Sequence, residues 1–365
     1  MVMPGTDRTG LAGPLRRALA EAGWLPPTGV GPAPSAPTPP EAAAGPVPRE
    51  DVAPAAPRED TARPVPRGDT AGPVVGVDLG GTKLHAVLYD PARHRLLDRV
   101  ERTDPRGGTA VTSQIAELVA SLAAAAGSTG LPARVAIGCP GAPDPVSGAV
   151  GHAPNIPGWD RMDVPGDLES RLGTRPLVHN DANLAAWGEH VWQPDGGGDL
   201  AFVAVGTGVG LGLVLDGRMY AGSRGLAGEV ADLPFGADPF DPANLVHGPL
   251  EQRVSGRGIE RRYHELTGRR WTAPEVFAAA NDGDEAAARV LDELGRLLAL
   301  ALRAVRAIVD PAVFVLGGGI GARPETLAAT RRWLTVTEGA SLQVRTSTFG
   351  ARAAVAGALA AAVTA

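Results

Sequence analysis

The chain has 365 residues, 44% hydrophobic and 20% charged, which is enough for one large or two ordinary domains with real cores. A formal net charge of −6 disfavours a role on nucleic acid or an anionic membrane, and no run of about 18 apolar residues is present to cross a bilayer. The one cysteine, Cys139, excludes an internal disulfide framework and any multi-cysteine zinc site. The opening "MVMPGTDRTG" has no apolar signal core, so a soluble, cytoplasmic protein is expected.

Residues 1–73 differ in composition from all that follows. From Pro26 to Pro73 the text is Pro, Ala, Arg and acid, with a degenerate nine-residue repeat: "PVPREDVAP", "AAPREDTAR", "PVPRGDTAG". Such a segment buries too little apolar surface to offset its ordering entropy, and a disordered tail is expected. Within it, "GPLRRALAEAGW" (13–24) places Leu15, Leu19 and Ala22 on one helical face, read here as a frayed terminal helix.

Order begins at "PVVGVDLGGTKLHAVLYD" (73–90), where a strand, a Gly-Gly turn and a second strand form a hairpin. An alanine-rich helix (109–126), the strand "ARVAIGCPG" and a Pro/Gly loop ending in "HAPNIPGW" follow. In "LVHNDANLAAWGEH" (177–190) a strand runs into a helix through three polar residues, Asn180, Asp181 and Asn183. These residue types cap helices, and Asn183 could do so as well as Asp181, leaving Asp181 for chemistry. "LAFVAVGTGVGLGLVLDGRMY" (200–220) is again strand, glycine turn and strand. "DPAVFVLGGGIG" (310–321) is a strand and a triple-glycine turn, and "AAVAGALAAAVT" is the last helix. The mixture is α/β, in two lobes.

The turns "DLGGTK" and "GTGVG" lead from strand to strand. A dinucleotide loop must lead into a helix, and the Walker spacing is absent. Glycine-rich hairpin tips still clamp phosphate, because without Cβ atoms the backbone N–H groups converge on the oxygens. Thr82 and Thr207 add hydroxyl donors and Lys83 adds charge.

The ordered set "VGVDLGGTK", "GCPGAPDPVSG", "HAPNIPGW", "HNDANLAAWGE", "VGTGVGLGLVLDG", "GLAGEV", "GPLEQRVSG" and "DPAVFVLGGGI" resembles the ROK family of sugar kinases and sugar-responsive repressors, over about residues 74–360. The resemblance implies a two-lobed actin-like sugar kinase fold with ribonuclease-H-like lobes. Residues 74–186 would form the small lobe, completed by the C-terminal helix 352–365, and 187–351 the large lobe. It implies ATP-dependent phosphorylation of a hexose or hexose-like polyol, with Asp181 as general base and Asn180 on a sugar hydroxyl. Asp78 would hold Mg²⁺ through water, and Gly80, Gly81, Thr82 and Lys83 would form one phosphate clamp. Gly206, Thr207, Gly208 and Gly210 would form the other, with Gly317, Gly318 and Gly319 at the adenosine. Asn155, Glu229 and Glu251 match the sugar ligands.

One region departs from the family. After the "AGE" acid the family has a histidine and a cysteine-rich loop that completes a structural zinc site, whereas here Asp232 and Pro249 stand at those places. No zinc is therefore expected, the sugar-contacting histidine is lost with it, and Asp232 joins the substrate residues. The loop would be held by its prolines and by packing of Phe235, Phe240 and Leu245. The acceptor stays open between a hexose and an amino sugar or C7 cyclitol of secondary metabolism. A sugar-binding regulator or a pseudokinase is the alternative of another class. The expected partners are a small-molecule substrate and neither nucleic acid nor membrane, with homodimerisation left open.

Overall fold

A computed structural model describes residues 12–25, 72–128, 130–144, 147–151, 153, 156–193, 198–244, 247–338 and 342–364; the nine-residue repeats lie outside the described residues. The chain opens with α1 (Ala12–Glu21). It continues as β1 (Val74–Leu79), β2 (Lys83–Asp90), β3 (Arg95–Arg102), α2 (Gly108–Ala125) and β4 (Arg134–Cys139). A small hairpin, β5 (Ala142–Pro143) and β6 (Val150–Gly151), precedes α3 (Val164–Leu172), β7 (Leu177–Asn180) and α4 (Asp181–Val191). Next come β8 (Leu200–Val205), β9 (Val209–Leu215), β10 (Arg218–Met219), α5 (Glu251–Val254), α6 (Gly256–Thr267), α7 (Ala273–Asn281) and α8 (Glu285–Val309). The last elements are β11 (Val313–Gly317), α9 (Gly318–Gly321), α10 (Pro324–Glu338), β12 (Val344–Thr346) and α11 (Ala353–Thr364).

Two five-stranded sheets are built on one plan. The first has the order β3-β2-β1-β4-β7 and the second β10-β9-β8-β11-β12. In each, the first three strands are antiparallel and the last two pairings parallel. The strands are nearly continuous apolar runs because both faces are covered. Helices α2 and α3 close the outer face of the first sheet around Ile115, Trp159 and Leu168. Helices α6, α7, α8 and α10 close that of the second around Phe277, Leu298 and Phe314.

Between the sheets lie α4 and α11. Helix α11 packs on β1 and β4, while α4 packs on β8 and β9; the boundary read at residue 186 thus falls inside a helix that follows one sheet and covers the other. The two helices touch where a Cβ on Gly357 would sit 1.6 Å from the Leu184 carbonyl oxygen, so no other residue fits there. Glu189 of α4 fastens the far end. Its buried carboxylate accepts hydrogen bonds from Ser347 Oγ at 2.6 Å and Thr348 N at 2.7 Å, and pairs with Arg345 at 2.7 Å. This caps the passage from β12 to α11 across the two halves.

The N-terminal helix corrects the sequence reading. It does not fray: Leu15 and Leu19 are fully buried in the core that holds α11, with Trp24 and Leu25 nearly so. Gly23, at φ 71°, ends it with bonds from Gly23 N to Ala20 O at 3.0 Å and from Trp24 N to Leu19 O at 2.8 Å. That left-handed stop turns Trp24 back onto the helix. Trp24 lies 6.0 Å from the His85 ring, and the Arg352 guanidinium stands 4.8 Å over its own ring. Arg16 donates to the Trp192 carbonyl at 2.6 Å.

Candidate active site

The strand ends of both sheets meet at a cleft of about 950 Å³. On the first sheet, the turn after β1 is held by Gly80 N to Lys83 O at 2.8 Å and by Thr103 Oγ1 to Gly80 O at 2.7 Å. This leaves Gly81 and Thr82 exposed at the tip. Asp78 precedes the turn. Burial, and then the charge of Asp181, push its carboxyl up to about 7 against the pull of Lys83. Asp181 opens α4, and burial raises it to about 6 against the N–H of Ala182, which donates to it at 2.8 Å. Parallel pairing of β1 with β4 and of β4 with β7 brings these two carboxylates together from residues far apart in sequence.

Helix capping at this junction falls to Asn180, not to Asn183. The Asn180 Oδ1 accepts from Ala182 N at 2.9 Å and Asn183 N at 3.2 Å, and its Nδ2 donates to the Gly141 carbonyl at 2.9 Å. One N–H of the amide is left for a ligand. Two further groups here do no acid–base work near neutrality. His179 is lowered to about 4 by burial, and the buried Cys139 thiol is held far above its usual range by burial and by Asp181.

The second sheet contributes backbone. Gly206 N donates to Gly208 O at 2.9 Å, and the Gly206 carbonyl accepts from Gly256 N at 2.8 Å, which ties the turn to the start of α6. Glu251 Oε2 accepts from Val209 N at 2.9 Å; a Cβ on Gly208 would lie 2.7 Å from that oxygen. Gly210 follows on β9, and the Gly317–Gly319 run sits alongside, with Gly319 N 3.8 Å from where a Gly206 Cβ would be. The structure therefore gathers the second and third glycine turns together, and Ala182, the residue after Asp181, stands against Gly210 of the same hairpin.

Thr207, Gly208, Glu229, Asp232 and Glu251 all line the cleft, whereas Asn155 lies outside the described residues. Sequence reasoning missed three ionisable lining residues: Asp160, His247 and Arg257. His247 matters most for the departure noted above. An imidazole returns from the far end of the loop, with Nδ1 3.6 Å from Glu251 Oε1. The loop closes on itself through Leu250 N to Ala231 O at 3.0 Å and through Gly248, packed against Ala231 and Asp232. Phe235 packs on the core, but Phe240 is 89% exposed and does not hold the loop; Leu245 lies outside the described residues. No local pattern announced His247, because its position depends on how the loop folds back.

A model of the ROK family matches residues 74–365. The N-acetyl-D-glucosamine kinase of Shigella boydii serotype 4 (strain Sb227) is 31% identical over 263 residues, 68% of this chain and 84% of that protein. The ROK hexokinase from Thermus thermophilus superposes with a TM-score of 0.66 at 34% identity, covering 80% of this chain and 97% of that one. A ROK glucokinase from Streptomyces griseus, solved with glucose and AMPPNP, gives 0.65 at 28% identity, covering 80% and 100%. By these matches the chain belongs to the ROK family, in the two-lobed actin-like fold of its sugar kinases.

Proposed function

We propose that the protein transfers the γ-phosphoryl group of ATP to a hydroxyl, a primary one, of a hexose or hexose-like polyol. The observation that carries this reading is the raised carboxylate of Asp181 at the start of α4, where its neighbour Ala182 packs against Gly210 and Gly212 on the strand that leaves the second glycine turn. The acceptor oxygen attacks phosphorus, the bond to ADP breaks, and the hydroxyl proton passes to the Asp181 carboxylate. With its carboxyl near 6, Asp181 is largely ionised at neutral pH yet basic enough to take that proton. The glycine turns supply N–H donors to the phosphate oxygens, with Thr82, Lys83 and Thr207 beside them. Glu229, Glu251, Asp232 and Asn180 hold sugar hydroxyls.

Two half-buried carboxylates that repel each other's charge fit a cation, and Asp78 is the one to hold Mg²⁺ through water. When bound, that ion neutralises phosphate charge. We infer that the loop before Glu251 needs no zinc, since backbone bonds already close its base. We also place the enzyme in the cytoplasm, acting without nucleic acid or membrane. The cluster of Asp160, Glu229, Asp232 and Glu251 favours donor-rich acceptors, which keeps an amino sugar or C7 cyclitol as the second reading. A screen of ATP consumption over hexoses, amino sugars and cyclitols tests both. Turnover with none of them, by protein that binds ATP, would replace the kinase reading with a binding protein.

A further inference from the structure

We propose that Arg257 is a catalytic residue of the donor side, gripping the γ-phosphoryl group that is transferred. The inference rests on the phosphotransfer reading and adds to it a residue that neither the motifs nor their order singled out.

Its position comes first. Arg257 is the second residue of α6, whose start is fixed twice. Ser255 caps it by accepting from Gly258 N at 3.2 Å, and Gly256 N donates to the Gly206 carbonyl at 2.8 Å. The arginine is therefore anchored one residue from a backbone bond to the second glycine turn, and its side chain shares the cleft with Thr207 and Gly208.

Charge comes next. Among the described residues that line the cleft, four are carboxylates and Arg257 is the one arginine or lysine. A phosphoryl group in flight spreads negative charge over its equatorial oxygens, and four acids around it would raise the barrier. Lys83 stands at the first glycine turn and does not line the cleft. Arg257 is exposed and makes no hydrogen bond or ion pair with the described residues, so its fork of donors is open to a ligand. A planar guanidinium matches two phosphate oxygens at once and stays charged throughout, so it exchanges no proton in the step.

The competing role is that of counter-ion to Glu251. The His247 ring occupies that place, with Nδ1 3.6 Å from Glu251 Oε1, whereas Arg257 makes no ion pair with Glu251 among the described residues. The arginine is thus left for the ligand.

The test compares two nucleotides that differ by the γ-phosphate. With Mg²⁺ present, titration calorimetry of Arg257→Ala should show AMPPNP binding weakened about tenfold and ADP binding within about twofold of wild type. Turnover should fall about 10²–10³-fold, as when one oxyanion donor is removed. Arg257→Lys should recover part of that loss, and added guanidinium ion should partly rescue the alanine variant. Equal changes for AMPPNP and ADP, no change in either, or a rise confined to the sugar KM would overturn the proposal. Wild-type protein that bound neither nucleotide would instead sink the phosphotransfer reading beneath it.

Discussion

The two sheets repeat one strand order, and each sends its strand ends to the same cleft, yet they deliver different chemistry there. In the first, Asp78 is the penultimate residue of β1 and the helix after β7 opens on Asp181. In the second, β8 runs into Gly206-Thr207-Gly208, and the passage from β12 to α11, "STFGAR", holds no carboxylate. The topology thus fixes where a residue can act, and the residue type at the strand end decides what it does. In the proposed reaction the carboxylates at the strand ends of the first sheet take the proton and suit a cation, while the strand ends of the second sheet offer backbone N–H groups that suit phosphate oxygens. The two roles need opposite electrostatics, which is easier to build on two sheets than on one.

That division is broken most severely by substitution at the first sheet. Asp181→Asn should lower turnover about 10²–10⁴-fold, the usual contribution of a general base, with sugar binding largely kept. Turnover within about threefold of wild type would remove Asp181 from the mechanism. The tie between the halves comes next. Glu189→Ala strands Arg345 and uncaps the start of α11, and should cost about 3–5 kcal/mol in chemical denaturation, the range for breaking a buried pair. A loss under about 1 kcal/mol would show that α4 and α11 are held by packing alone.

Helix α1 is an addition to one half alone. Leu19→Ala should cost about 2–3 kcal/mol, the low end for a buried leucine, and leave turnover unchanged because α1 lies away from the cleft. An unaltered thermal midpoint would mean that α1 contributes nothing to the stability of the folded chain. The smallest effect is expected at the second sheet. Gly208→Ala pushes Glu251 Oε2 from its bond with Val209 N and should raise the sugar KM about tenfold, the scale of one hydrogen bond to a charged group. A fall in kcat with KM intact would show instead that the substitution acts through the phosphate turn to which Gly208 belongs.

Sequence alone carried much of the site. The glycine turns, Asp78 and Asp181 are signalled by their immediate neighbours, since a strand that stops at glycine or aspartate shows it within a few residues. Glu189, His247 and Arg257 are not signalled that way, although Glu189 and Arg257 stand in or beside the quoted motifs. Their roles arise from partners brought close by folding: Arg345 and Ser347 for Glu189, Glu251 for His247, the Gly206 turn for Arg257. Likewise the apolar face of α1 is visible in "GPLRRALAEAGW", while the surface that buries it is supplied by β2, β3 and α11. Phe240 fails for the opposite reason, because an apolar residue in a loop need not find a core.

The central claim is that an ionised Asp181, its carboxyl raised to about 6 by burial, takes the proton from the acceptor hydroxyl. The direct measurement is kcat/KM for the best acceptor from about pH 5 to about pH 9, which reports the pKa of the essential base in the free enzyme. A raised carboxyl is protonated below its pKa and cannot accept a proton there. The profile should therefore fall on the acid side with a midpoint near 6 and level off above about 7, and that limb should vanish in Asp181→Asn. A profile that stays flat down to about pH 5, or an acid limb that persists unchanged in Asp181→Asn, would contradict the account.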